Sequence, residues 1–164
     1  MKEENKFLKL VYTFFLGVLL ALFVGVGIMT FYPSPTVVEY PIPLSSPSSG
    51  LTTKQISLQN DYNTKIQKYN NDIKTYDRNT SIITLGTAVI FLVISLIFEK
   101  KIKIIADGVM LGGLFTLIYS IGRGFASQDT KYTFIAITVD LVIVLYLGYH
   151  RFVREQYSIK KDTP

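Results

Sequence analysis

Few residues in this chain are placed to do chemistry, and Asp140 comes first. It is the one acidic residue in the apolar run 132–150. Along a helix it lies about 14 Å in from Lys131 and about 15 Å from His150, near the middle of a bilayer's hydrocarbon. A central Asp costs about 2.5–3.5 kcal/mol, and Phe134, Ile135, Ile137, Val139, Leu141 to Leu145 and Leu147 offset it by about 3–6 kcal/mol, so the run still inserts. Its carboxyl must turn into a bundle or a wet cavity. Three roles are open there: a structural hydrogen bond, an ion or proton site, and a contact between copies. If the third and fourth runs form a hairpin turning near Ser127, Asp140 is level with Leu114. Thr116, Thr87 and the backbone beside Gly112 and Gly113 are then nearest in depth. Arg123, about a dozen ångströms away at the outer mouth, is too far for a direct pair.

Most other chemistry is excluded by composition. The 164 residues contain no cysteine and one histidine, so disulfides, thiolate nucleophiles and His-rich metal clusters are out of reach. There is no phosphate-cradling glycine loop, no His-Glu-x-x-His and no nucleophile elbow. No catalytic residue, cofactor or metal is expected, and the chain does not read as an enzyme. Asp107 is accounted for by Lys103 four residues earlier and by the start of its helix. Arg123, between Gly122 and Gly124, reads as a helix end with a snorkelling cation. His150 reads as a residue of the membrane boundary.

The elements that hold these residues are four apolar runs, 10–32, 81–98, 102–122 and 132–150, with charge gathered between them. Nearly half of the residues are apolar, too many for an ordinary soluble domain of this size. In hydrocarbon each run must be a helix, because every backbone amide needs an internal partner. The first could instead be a signal peptide, but it is longer than such an apolar region, and Met29-Thr30-Phe31-Tyr32 is a poor cleavage context. The net charge is +5. Its Lys and Arg flank the runs, which points to membrane orientation and away from nucleic acid. The head 1–9, the link Lys100-Lys101-Ile102-Lys103 and the tail 151–164 carry the basic residues and fall on one side of four spans. By the positive-inside rule both termini are cytoplasmic, in a plasma membrane.

Between the first two runs lie two unlike pieces. Residues 33–51 form a Pro/Ser-rich strip that forbids helix and favours extended or polyproline-like chain. Residues 52–80 carry Tyr62, Ile66, Tyr69, Ile73 and Tyr76 at spacings of four and three, with polar residues between. Thr52 and Gln55 fit a capping box at its start, and no proline interrupts the chain from there to Phe98. This is an amphipathic helix continuous with the second span, standing outside the membrane. The stripe has three readings: it packs on the Pro-rich strip, pairs with another copy as a coiled coil, or docks a different membrane or envelope protein or lies on the lipid surface of the bilayer. Tyrosine at three of its positions is unusual in a dry zipper and suits a wet recognition surface.

Lipid gives helices little hydrophobic reason to associate, so small residues that allow close approach matter. Gly17, Ala21 and Gly25 in the first run and Gly108 and Gly112 in the third recur at steps of four. The fold expected is an all-α membrane protein: a four-transmembrane-helix bundle with a long extramembrane extension of the second helix. The function expected is a non-enzymatic interaction or scaffold subunit using the Tyr/Ile stripe. The alternative is a small ion or proton channel or transport subunit centred on Asp140.

Overall fold

The computed structural model describes residues 2–39 and 53–153, with side chains over 6–39 and 53–151. Its elements are α1 (Lys2–Phe31), α2 (Thr53–Phe98), α3 (Lys103–Ala126), α4 (Thr130–Gly148) and a closing π-helical turn, Tyr149–Val153. Among the described residues there is no strand. All four α-helices are long and apolar enough to cross a membrane. Helix α1 takes in most of the head, starting at Lys2. It stops at Phe31 because Pro33 disfavours helical backbone in the residue before it. Thr52, and with it the expected capping box, lies outside the described residues, as does the strip beyond Glu39.

Helix α2 is unbroken for 46 residues, about 70 Å of rod. Its two halves differ in solvent preference rather than in backbone. Polar residues dominate up to Thr80, and apolar ones from Ile82 to Phe98. Helix α3 is the centre of the bundle. It packs along α2 on one face and along α1 on another, while α4 lies against α2 and α3. The start of α1, the α2–α3 turn and the end of α4 share one end of the bundle, called here the basic end. The opposite end holds the finish of α1 and the α3–α4 turn, and beyond it the polar half of α2 continues as a post.

Close approach of the helices is bought by missing side chains. A Cβ on Gly108 would come within 2.6 Å of Leu16, one on Gly112 within 2.9 Å of Leu20, and one on Gly113 within 2.7 Å of Leu92. The glycines at 108 and 112 face α1, and the one at 113 faces α2. The largest fully buried side chains are hydroxylic: Thr80, Thr84, Thr116, Ser81, Ser95 and Ser120. An apolar cluster of Ala88, Leu92, Leu117 and Leu147, flanked by Leu85, Leu96, Met110, Leu114 and Ile143, fills the rest.

Helix α3 does not end at Gly122-Arg123-Gly124 but runs on to Ala126. Arg123 has a partner to hold, described below. Gly124 lies where α2 and α4 converge: its carbonyl accepts from Thr133 Oγ1 (2.8 Å), and Ser81 Oγ lies 3.5 Å from where a Cβ on it would stand. The α3–α4 turn is Ser127–Asp129, with Gln128 at φ 57°. Asp129 caps α4 by accepting from the Tyr132 amide (3.0 Å).

Candidate functional site

The densest polar constellation sits where the post meets the bundle. Tyr76 is 4% exposed and stacks on Tyr32 with ring centres 5.2 Å apart. Asn79 donates to the Tyr32 hydroxyl (3.0 Å). Arg123 donates to the buried Asp77 carboxylate at 2.6 Å and, through Nε, to the Tyr119 hydroxyl at 3.0 Å. Its guanidinium also lies over the Tyr76 and Tyr119 rings, 5.5 and 5.4 Å from their centres. One residue along α2, Arg78 reaches Asp129 at 3.9 Å, a half-exposed pair worth little by itself. Together these contacts tie α1, α2, α3 and the α3–α4 turn to one another and fix the base of the post. Sequence reasoning missed the clamp. Asp77 is one of the polar residues between the stripe positions, and Arg123 reads as a snorkelling cation. The available signal was only that each stands within about a turn of the end of an apolar run.

Of the Tyr/Ile stripe, Tyr76 therefore belongs to the clamp. Tyr62, Ile66, Tyr69 and Ile73 are each half-buried along one side of the post. In the segment after α1, Tyr32, Pro35 and Val38 are the half-buried positions, with exposed residues between them. That three-residue period is the repeat of a polyproline-like chain.

Asp140 is 4% exposed and shares the inward face of α4 with Thr133, Ala136 and Leu147. Neither of its carboxyl oxygens has a hydrogen-bond partner among the described residues. The hydroxyls nearest in depth by sequence are spent elsewhere. Thr116 donates to the Gly112 carbonyl (2.8 Å) and Thr87 to the Ile83 carbonyl (2.9 Å). Hydroxyls on helices do this readily, because the carbonyl one turn back is always within reach.

Between α2 and α3 the hydroxyls join helices. Ser81 Oγ donates to the Ser120 carbonyl (2.8 Å) while Ser120 Oγ donates to the Ser81 carbonyl (2.9 Å). Nearer the basic end, Ser95 Oγ donates to the Ala106 carbonyl (2.7 Å). The basic end has a clamp of its own. Arg151, counted in sequence with the tail, is 8% exposed, forms an ion pair with Asp107 and lies 3.7 Å from Glu99. Asp107 is thus engaged across elements by the π-helical turn that follows α4. His150, in the π-helical turn, has its ring 6.2 Å from that of Tyr146.

Of the small residues, Gly17, Gly108 and Gly112 come together at the α1–α3 contact, with Leu111 3.0 Å from a Cβ built on Gly17. Gly25 has open space on its side-chain face. With Ala21 it lines an apolar groove of about 410 Å³ between α1 and α3, floored by Phe115 and Tyr119. Among the described residues no cluster of three or more His, Cys, Asp or Glu is placed to hold a metal ion. No family model, no curated protein and no solved structure matches the chain.

Proposed function

We propose that this chain is a plasma-membrane protein with both termini cytoplasmic that acts as a non-enzymatic interaction or scaffold subunit. Its contact surface is the outer half of α2, with Tyr62, Ile66, Tyr69 and Ile73 facing a second copy or another membrane or envelope protein. The observation that carries this reading is the clamp at Tyr76, Asp77 and Arg123. It holds a rod of polar helix at a set angle to the bundle, which suits a surface offered to a partner in fixed register. Half-buried tyrosines on such a rod combine apolar area with a polar tip, the mix favoured at recognition surfaces. The rival, an ion or proton conduit, draws on Asp140. The apolar block of Leu92, Leu117 and Leu147 weighs against a continuous pathway through one copy.

The test replaces Tyr62, Ile66 and Tyr69 by Ser together and leaves Tyr76 in place, since it supports the fold. The expected result is loss of crosslinked species in native membranes and of any higher oligomer in mild detergent, with helix content unchanged. Crosslinking and oligomeric state identical to wild type would overturn the reading.

A further inference from the structure

The buried lining of the bundle changes character along its axis, and Asp140 sits at the change. Thr133 donates to the Gly124 carbonyl, and Ser81 lies beside Gly124, so these three residues share one level. Asp140 is seven residues inward of Thr133. Seven residues inward on α3 and α2 are Leu117 and Ala88, about 10 Å deeper. Towards the post, the buried side chains include Thr80, Ser81, Thr84, Ser120 and Thr133, with the Tyr132 hydroxyl and Thr80 Oγ1 buried and without a partner among the described residues. Towards the basic end, the filling is Leu92 and Leu147 packed against Leu96, Met110, Leu114 and Ile143. Beyond that block, Arg151 closes the end on Asp107 and Glu99.

We propose that Asp140 is a proton-binding site that exchanges its proton with the post side of the bundle and not with the basic end. The polar half offers hydroxyl oxygens at successive depths, on which a transient water or a proton can rest. Towards the basic end the hydroxyls are fewer and already engaged: Thr116, level with Leu117, is held on the Gly112 carbonyl, and Ser95, about two turns beyond Ala88, on the Ala106 carbonyl. Between them lies the apolar block, where an ion meets the full cost of hydrocarbon. The ligand is a proton rather than a metal ion, because a hard cation takes six or more oxygen ligands and the Asp140 carboxyl stands without polar partners among the described residues. No other charge competes at this depth. Helix α2 has no charged residue between Arg78 and Glu99, and α3 has none between Asp107 and Arg123, its one titratable group being Tyr119, held on Arg123. On α4 the other titratable groups between Lys131 and His150 are Tyr132, Tyr146 and Tyr149. The inference is independent of what the post binds.

Carbodiimides couple to protonated carboxyl groups, so the initial rate of Asp140 modification by a membrane-permeant carbodiimide, read by mass spectrometry, reports its protonation. The full chain carrying Asn63→Cys is placed in liposomes, and vesicles with the post outward are captured through that cysteine. Raising the pH on the post side alone from about 5 to about 9, a span wide enough for a displaced carboxyl group, lowers the rate at least about fivefold. The same change on the basic side alone leaves it unaltered. Asp140→Asn removes the modified peptide and shows that the signal belongs to this residue. Leu147→Ser with Leu92→Ser makes the rate respond to the basic side as well. A rate that follows the basic side in the unaltered core, or that ignores the pH on both sides, overturns the proposal.

Discussion

Substituting Gly112 by alanine tests whether α1 is held to α3 by the absence of a side chain. The new Cβ would lie 2.9 Å from Leu20 Cβ, 3.1 Å from Leu20 Cδ1 and 3.3 Å from the Gly17 carbonyl oxygen. Two of these atoms are fixed to backbone, so a rotamer change at Leu20 does not relieve the contact. Ordinary contacts begin at 3.4–4 Å, so the helices must separate by about 0.5–1 Å. Overpacking of this kind costs about 1–3 kcal/mol, and alanine returns up to about 1 kcal/mol of helix propensity. The matched control is Gly25→Ala on α1, where nothing lies within 4 Å and only the propensity gain applies. The two variants should therefore differ by about 1–3 kcal/mol, with Gly112→Ala the less stable. Because the chain has no cysteine, dyes on Leu8→Cys and Ile102→Cys can report helix separation during reversible unfolding in mixed micelles. Equal stability of the two variants within about 0.5 kcal/mol would refute the reasoning.

Two further outcomes follow from the clamp and from the serine pair. Asp77→Ala and Arg123→Ala should each cost about 1–3 kcal/mol, below the 3–5 of a fully buried pair because the Arg123 side chain is 28% exposed. The double variant should be more stable than the sum of the single losses predicts, by about 1 kcal/mol or more; strict additivity in the same unfolding assay would deny the pair. Ser81→Ala removes a hydrogen bond between α2 and α3 and should cost about 0.5–1.5 kcal/mol. Ser81→Val should cost about 1–3 kcal/mol more, because its added methyl groups meet Gly124; a valine variant at least as stable as wild type would show that the hydroxyls are not what sets this contact.

The four long apolar helices were legible because hydropathy over some twenty residues leaves one solution for backbone in hydrocarbon. The continuity of α2 was legible too, since proline is absent from Thr53 to Phe98 and the capping signals stop at its start. The clamp was not legible. Pairing Asp77 with Arg123 requires knowing that α2 and α3 are neighbours and how far each projects beyond the shared apolar level. Periodicity within one helix carries neither fact. Tyr76 illustrates the limit. It continues the spacing of Tyr62 and Tyr69, and only the Tyr32 ring arriving from α1 moves it from the stripe into the clamp. Small-residue spacing was similarly ambiguous: Gly17, Gly108 and Gly112 close a contact, while Gly25, at the same step of four, faces open space. Steps of four say which residues share a face, not which helix meets it.

The same physics bears on why the ion pairs between helices lie at the ends of the bundle. Inside lipid, apolar burial adds little to helix association, and what remains is close packing and hydrogen bonding. The middle of the chain supplies these with glycine and hydroxyl groups, most of whose bonds go back to the helix that carries them. Ion pairs bring more, but only where water and headgroups share the cost of the charge. Asp77 with Arg123 and Arg151 with Asp107 stand at opposite ends of the bundle, where four spans of this length would meet headgroups. Asp140 breaks this pattern. It is a charged residue type placed deep, facing inward, with no cation at its depth on α2 or α3. A residue serving only to join helices would be answered by a partner, as Asp77 is. One left without a partner among the described residues costs stability that packing must offset, and that asymmetry is what supports the proposal that Asp140 binds a proton.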